Sequence, residues 1–234
     1  MPKYFAIIPA AGFGSRMENQ LPKQYLPLSG KPMIYHAVDT FCRSALIHQV
    51  FIVLSPQDTQ WQQYDWNVYD EKLTVLYQGG ATRAESVLNG LIEAPNNYPV
   101  TAQDWILVHD AARPLFTQNQ LKHLIEAVGD DPVGGLLAIP IADTLKRSNS
   151  DNCVAQTESR DNLWQAQTPQ MFRYQMLVDA LSNNTHQNVT DDASAIEALG
   201  LHPKLVHNRD YNFKVTYPQD LELAEIIIKT RNNP

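Results

Sequence analysis

Arg16 and Lys23 stand behind a run of small residues, Pro9-Ala10-Ala11-Gly12-Phe13-Gly14, that follows a short apolar stretch at 4–8. Small residues let backbone N–H groups approach a ligand closely, and glycine can take the positive-φ conformations an anion-binding loop needs. Two permanent cations behind such a loop suit the phosphates of a nucleotide. Two other readings of Gly12-x-Gly14 stay open: two-thirds of a dinucleotide-binding fingerprint, or a plain strand-to-helix turn. Against the fingerprint, Met17 stands where a third Gly or Ala is needed. The acidic ribose partner expected about 20 residues on has only Asp39, inside an amphipathic helix pattern.

Further chemistry-bearing residues follow later apolar runs. Gly79 and Gly80, after the run at 73–77, would let the backbone approach a sugar or base. Arg83 and Ser86 come next; a cation in a first helical turn is disfavoured by the helix dipole. Arg83 therefore meets either a ligand anion or a surface carboxylate. Asp110 ends the apolar run 105–108 and is followed by Arg113. One reading makes Asp110 a Mg²⁺ ligand, since Mg²⁺ is held by one or two carboxylates plus substrate phosphates. The other makes it the cap of the turn Ala111-Ala112-Arg113-Pro114. Arg160, Thr168, Thr190, Asp191 and Lys214 are polar residues beside apolar runs. Lys214, in the strand-like Phe213-Lys-Val-Thr216, either points to solvent or reaches inward to a phosphate. The chain has no Walker A motif, no G-x-S-x-G elbow and no kinase signature set. Its 2 cysteines, Cys42 and Cys153, and its 7 histidines show no metal-ligand spacing.

The elements that must position these residues alternate between strand and helix. A helix opens at Lys31-Pro32, with Pro at its first position, and turns Ile34, Ala37, Val38 and Phe41 to one face. Strands are expected at 50–54, 73–77, 105–108, 134–139 and 204–207. Thr82 with Glu85 reads as a capping box for a helix carrying Val87, Leu88, Leu91 and Ile92. Further helices are expected around Leu121–Val128, at 174–182, at 191–199 and from Gln219. The aromatics of 56–72 (Trp61, Tyr64, Trp66, Tyr69) have a spacing that could stack bases; the acids among them favour surface packing. Alternation of this kind predicts a mainly parallel sheet with helices on both faces, and ligands gather at the carboxyl ends of its strands. The loop at 9–23, Gly79-Gly80 and His109-Asp110 should therefore share one edge.

The alternation breaks at 141–163. Two short strand-like runs flank Ser148-Asn-Ser-Asp-Asn152, a turn-forming stretch, so a β-hairpin arm is expected to stand off the domain. A lone hairpin is marginal in water, so the arm packs either on a second copy of the chain or on its own domain. With 234 residues, 44% apolar content and 18% charge, the chain suits one large globular domain. A net charge of −7 argues against a general nucleic-acid binder. Nothing reads as a membrane span or a signal sequence, and the cytoplasm is the expected compartment.

In chain order, eight segments closely resemble those of the 2-C-methyl-D-erythritol 4-phosphate cytidylyltransferases of the non-mevalonate isoprenoid pathway, from residue 5 to about 225. They are Pro9-Ala-Ala-Gly-Phe-Gly-Ser-Arg16-Met17, Pro22-Lys-Gln-Tyr25, Gly79-Gly80-x-x-Arg83-x-x-Ser86-Val, His109-Asp-Ala-Ala-Arg-Pro114, Asp143-Thr144-Leu-Lys, Leu163-Trp-x-x-x-Thr-Pro-Gln170, Thr190-Asp-Asp-Ala-Ser194 and Lys214-Val-Thr216. The segment from His109 to Pro114 favours this family over the ribitol-5-phosphate cytidylyltransferases. The resemblance implies one Rossmann-like, GT-A-like α/β nucleotidyltransferase domain and a homodimer joined through the 141–163 arm. It implies that CTP and methylerythritol phosphate give the CDP-alcohol and pyrophosphate with Mg²⁺. It assigns Arg16 and Lys23 to the α-phosphate, Arg160 and Lys214 to positioning the attacking phosphate, and Asp110 to the metal. Pro9, Ala10, Ala11, Gly12, Gly14, Gly79, Gly80, Arg83 and Ser86 fall at the nucleotide; Arg113, Thr144, Thr168 and Thr190 fall at the alcohol phosphate. Two departures stand out: Ala81, where relatives often carry an acid, and Ser159-Arg160-Asp161-Asn162, in place of a commoner order that keeps the Arg. The residues by themselves read as a Mg²⁺-dependent enzyme acting on a nucleotide phosphate. Rival readings are another polyol-phosphate cytidylyltransferase, a non-catalytic nucleotide-binding regulator and a nicotinamide dehydrogenase.

Overall fold

Side-chain alternation along the first strand sets the layering. In β1 (Tyr4–Pro9), Ala6 and Ile8 face one helical layer and Phe5 and Ile7 the other, all fully buried. Successive residues of a strand point to opposite faces, so both faces of this sheet are covered. Each such large apolar side chain contributes about 1.5–3 kcal/mol on burial. The computed structural model that shows this describes residues 2–12, 21–183 and 189–232. Gly14, Arg16 and Met17 lie outside the described residues.

After β1 come a small hairpin, β2 (Pro27–Leu28) and β3 (Lys31–Pro32), then α1 (Met33–Arg43), β4 (Gln49–Val53) and β5 (Leu73–Leu76). The chain continues through α2 (Arg83–Asn97), β6 (Trp105–Val108), α3 (Gln118–Val128) and β7 (Gly134–Pro140). The arm strands β8 (Leu145–Ser148) and β9 (Val154–Glu158) precede β10 (Trp164–Arg173), α4 (Tyr174–Asn183), α5 (Asp192–Glu197), β11 (Lys204–His207) and α6 (Pro218–Asn232). Seven strands form the central sheet in the order β11-β7-β10-β6-β1-β4-β5. Helices α1 and α3 cover one face; α2, α4 and α5 cover the other. Through Ala224 and Ile228, α6 packs on Leu28, Met33 and Leu115.

The sheet is mainly parallel, and its one antiparallel central strand brings the site together. β1 pairs parallel with β4 and β6, β4 with β5, and β7 with β11. Their carboxyl ends therefore share one edge, as expected. β10 runs antiparallel between β6 and β7, with Gln170 opposite Val108. Its register shifts between Ala166 and Gln170, and this irregular stretch carries Thr168 to the level just past the end of β6. Pro95 lies inside α2 and cannot donate to the Leu91 carbonyl four residues back. The Tyr174 hydroxyl donates to that carbonyl instead, at 3.1 Å.

Several expectations are corrected. Trp61, Trp66 and Tyr69 do not pack on the surface: they are buried in the core cluster that includes α1, with the two indoles stacked 4.0 Å apart. The acids nearby are what allow this, because Asp58 and Asp39 accept from the hydroxyls of Tyr25 and Tyr69. Pro32 pairs in β3 and precedes α1 as its cap rather than opening it. Ile92 is exposed on α2. Thr82 accepts from the Glu85 amide, but the Glu85 carboxylate turns to Ala81 N–H, so the box is half made. No strand forms at 213–216. The hairpin arm is present, with β8 and β9 pairing only with each other and largely exposed.

Candidate active site

Two clefts meet at the carboxyl edge of the sheet, and one charged wall separates them. The first, about 390 Å³, is lined by Pro9, Ala10, Ala11 and Gly12 after β1, by Lys23 and Gln24, and by Gly80, Ala81 and Ser86. The second, about 280 Å³, is lined by Arg113, Ala166, Gln167, Thr168, Gln170, Thr190 and Asp191. Arg83, Asp110 and Lys214 border both.

The first cleft is shaped by backbone. Ala10 N–H donates to Val53 O at 2.8 Å, and Gln24 Nε2 donates to Ala10 O at 2.7 Å, which pins the small-residue loop to β4. Gly79 N–H donates to Leu54 O at 2.8 Å. A Cβ at Gly79 would lie 2.3 Å from Ala11 Cβ and 2.7 Å from Leu54 O, so only glycine fits between these strand ends. Ser86 is buried and accepts from Gly80 N–H at 3.0 Å while donating to Thr82 O at 2.9 Å. It holds the glycine loop in shape. Lys23 closes the cleft across the chain, its Nζ donating to Val215 O at 2.8 Å.

The wall is a set of ion pairs. Arg83 Nε meets Asp110 Oδ1 at 2.7 Å and its NH2 meets Asp192 Oδ2 at 2.9 Å. Lys214 Nζ meets Asp110 Oδ2 at 2.9 Å, and Arg113 Nε stands 3.7 Å from the same oxygen. Burial alone would raise the Asp110 pKa, but Arg83, Lys214 and Arg113 together hold its carboxyl well below the usual carboxylate range. Asp192 is fully buried, and burial pushes its carboxyl up against the pull of Arg83. Burial also pulls the Arg113 guanidinium down, with Asp110 opposing it. Arg83 is thus neither a bare ligand arm nor a surface pair: it ties Asp110 at the end of β6 to Asp192 at the start of α5.

Behind the second cleft lies a buried polar network. Arg113 NH1 donates to Asn212 O at 2.7 Å, and Asn212 Nδ2 donates to Thr168 O at 2.7 Å. Asn208 links Gln120 to Gln167 at 2.9 and 2.7 Å. Thr168, followed by a cis peptide to Pro169, turns its hydroxyl inward to the amide of Asp110 and the ring of His109. His109 is fully buried, and burial drives its pKa down to about 3.

The structure therefore brings Lys23, Arg83, Asp110, Arg113, Thr168, Thr190 and Lys214 to one edge with the two glycine-bearing loops. It leaves Thr144 and Arg160 apart. Both are exposed on the arm, and the Arg160 guanidinium donates to Ala142 O within it. Asp192, Gln24, Asn208 and Asn212 are site-building residues that sequence reasoning passed over. For Asp192 a signal existed, since Asp191-Asp192 offers two acids at one helix start. Only Asp191 caps it, accepting from Ser194 N–H at 3.0 Å.

The same geometry tests the expected metal. Both Asp110 oxygens are engaged by cations, and among the described residues no group of three His, Cys, Asp or Glu could hold a metal ion. Asp110 is nonetheless an ionised carboxylate bordering both clefts, which fits the single-carboxylate Mg²⁺ ligand expected of it, with substrate phosphates and water as the remaining ligands. Cations outnumber carboxylates along the wall, which suits the phosphates that would bring such a metal with them.

Peptide groups on one side of a charged wall and cations on the other, at the strand ends of a mainly parallel sheet, define an α/β nucleotidyltransferase. A crystal structure of a 4-diphosphocytidyl-2C-methyl-D-erythritol synthase superposes with a TM-score of 0.85 at 37% identity, covering 97% of this chain and 100% of the other. That of the Francisella tularensis 2-C-methyl-D-erythritol 4-phosphate cytidylyltransferase does so at 0.80 and 35%, covering 96% and 99%. The chain belongs to the IspD family, 2-C-methyl-D-erythritol 4-phosphate cytidylyltransferase, whose model matches residues 4–230. The cytidylyltransferase of Nitrosospira multiformis is 57% identical over 229 residues, 98% of this chain and 99% of the relative. That of Nitrosomonas eutropha is 56% identical over 233 residues, 99% of each.

Proposed function

We propose that this chain transfers CMP from CTP to 2-C-methyl-D-erythritol 4-phosphate, releasing pyrophosphate and making 4-diphosphocytidyl-2-C-methyl-D-erythritol for isoprenoid precursor synthesis. The observation that carries the reading is the pair of clefts sharing Arg83, Asp110 and Lys214, which suits two phosphate substrates meeting across one wall. CTP lies in the cleft of Pro9 to Gly12 and Gly80. The alcohol phosphate lies on the side of Arg113, Thr168 and Thr190.

The attacking phosphate oxygen is already anionic, so no general base is needed. It forms a bond to the α-phosphorus as the bond to the β-phosphate bridging oxygen breaks, and that electron pair leaves with pyrophosphate. The obstacle is repulsion between two highly charged phosphates, so catalysis rests on positioning and charge stabilisation. Lys23 brings a compact charge, and Arg16, read from the sequence, a planar fork to the α-phosphate. Lys214, held by Asp110 at 2.9 Å, is aimed rather than free to wander, and orients the attacking phosphate. Asp110 would hold Mg²⁺ together with the triphosphate oxygens, and the metal would supply charge neutralisation for the departing pyrophosphate.

Arg160 and Thr144 then serve a second copy. Their exposure on an arm that pairs only with itself, beside exposed Val154, Leu163 and Trp164, supports a homodimer joined through residues 141–163. A dilute monomer retaining full activity, followed by sedimentation alongside the assay, would count against that arrangement. We place the enzyme in the cytoplasm; no helix among the described residues is long and apolar enough to cross a membrane. The deciding experiment is pyrophosphate release over a panel of nucleotides and alcohol phosphates with Mg²⁺. Turnover is expected with CTP and methylerythritol phosphate; a preference for ribitol 5-phosphate, or none at all, overturns the reading.

A further inference from the structure

His109 touches neither cleft, yet its two ring nitrogens are both used, and by residues that line the second cleft. The ring sits between Phe41 and Phe116, with centroids 5.4 and 4.8 Å away. A neutral imidazole has one donor and one acceptor, and its neighbours decide which nitrogen is which. Asp110 N–H donates to Thr168 Oγ1 at 3.0 Å. The oxygen keeps a second lone pair, so it is the Arg113 carbonyl, which can only accept and lies 3.2 Å from Nε2, that fixes the ring. Nε2 therefore carries the proton, Nδ1 of the neutral ring is bare, and the Thr168 hydroxyl donates to it at 3.1 Å. The same turn is closed by Arg113 N–H to Asp110 O at 3.0 Å. One ring thus ties both ends of the 110–113 turn to the irregular stretch of β10, segments 58 residues apart in sequence.

We propose that His109 is a positioning residue for the alcohol-phosphate side of the site, acting through Thr168 and the Arg113 carbonyl to fix Asp110, Arg113 and Thr168 relative to one another. A consequence is that the Thr168 hydroxyl is spent inward and has no hydrogen left for substrate. Its part in binding is to hold the Asp110 amide. The nucleotide cleft shares only the Asp110–Ala112 turn with this ring; the loops after β1 and β5 that frame the rest of it are held by hydrogen bonds of their own.

The kinetic part of the test rests on the functional reading above; the tautomer part does not. His109→Phe keeps the aromatic packing and removes both hydrogen bonds. It is expected to raise KM for methylerythritol phosphate about tenfold, the scale of one lost hydrogen bond to a buried group, with KM for CTP within about twofold. His109→Asn, whose amide oxygen can stand where Nδ1 stands, should recover most of that loss. Thr168→Val should show the same one-sided rise, and the split is read from it if His109→Phe does not fold. Both KM values rising together, or no rescue by His109→Asn, overturns the proposal. Nitrogen-15 NMR of the full chain should find the His109 proton on Nε2; a proton on Nδ1 overturns the network whatever the substrate. A wild-type protein inactive on methylerythritol phosphate would sink the functional reading and leave the tautomer result to decide this one.

Discussion

The two clefts beside Asp110 are built in opposite ways. The nucleotide cleft is made largely of peptide groups and small residues delivered by the ends of β1, β5 and β6, parallel strands of one sheet. The alcohol-phosphate cleft is made of side chains from the end of β6, the irregular stretch of β10, the start of α5 and the loop after β11. The first presents backbone dipoles whose positions follow from strand pairing. It should tolerate lost charge, Lys23 apart, and suffer from added volume. The second presents charges held by buried hydrogen bonds and ion pairs, and should respond in the reverse way.

Asp110→Asn tests the wall common to both. Removing this anion leaves Arg83, Arg113 and Lys214 facing one another. The cost should be about 2–3 kcal/mol, below the ~3–5 kcal/mol of wholly buried pairs because solvent screens Lys214. The sign of the pH dependence follows from the lowered Asp110 pKa. Its stabilisation is present above the unfolded carboxylate value of about 4 and lost as pH falls below it. The gap in urea midpoint between wild type and variant should therefore narrow from pH 7 to pH 3; a gap that widened would mean the carboxylate is not the stabilising form. KM for both substrates should rise, since the residue borders both clefts. A rise for one alone would break the idea of a common wall.

Next in size, Lys23→Ala should lower kcat at least ~10²-fold, the scale of losing a transition-state donor, with the folded state intact by circular dichroism. Lys214→Ala should cost a similar factor in kcat/KM but show it chiefly as KM for the alcohol phosphate. If Lys214→Ala raised KM for CTP instead, the division of labour between the clefts would fail. Gly79→Ala probes volume on the backbone side. The new methyl would overlap Ala11 Cβ and the Leu54 carbonyl, and a backbone contact cannot swing aside as a long side chain can. A loss of about 1–3 kcal/mol with a higher KM for CTP is expected, and an unchanged KM for the alcohol phosphate.

The same contrast explains what the amino-acid order disclosed. The nucleotide cleft was legible because each part is local: an apolar run, then Pro9 to Gly12; another, then Gly79-Gly80; a third, then His109-Asp110. Strand, loop and ligand group lie within a few residues, and parallel pairing aligns the strand ends. The opposite cleft was not legible because its contacts are remote. Arg83 finds Asp192 109 residues away, and Arg113 reaches Asn212 across 99. β10, with Gln165, Gln167 and Thr168-Pro169 in its course, has no two-residue alternation to betray a strand. It is held by pairing on both sides rather than by local preference. Lys214 looked like a strand residue facing solvent or phosphate equally, and only the position of Asp110 settles its direction. Family resemblance carried the site residues where spacing could not. It did not foresee that Asp110 is ringed by cations or that the Thr168 hydroxyl is turned inward.

The smallest expected effect marks where the second cleft's support ends. Thr117 caps α3 with both arms of a capping box, its hydroxyl accepting from Gln120 N–H and the Gln120 amide oxygen from Thr117 N–H. Thr117→Ala should cost about 1 kcal/mol and lower Tm by roughly 2–4 °C in a chain of this size. Thr117 follows Phe116, whose ring packs on His109, but it lines neither cleft. If the hydrogen bonds of His109 rather than its packing set the second cleft, both KM values should stay at wild-type levels while Tm falls. A selective rise in KM for the alcohol phosphate would instead show that the aromatic cage contributes, and would move the boundary of that cleft's support outward into α3.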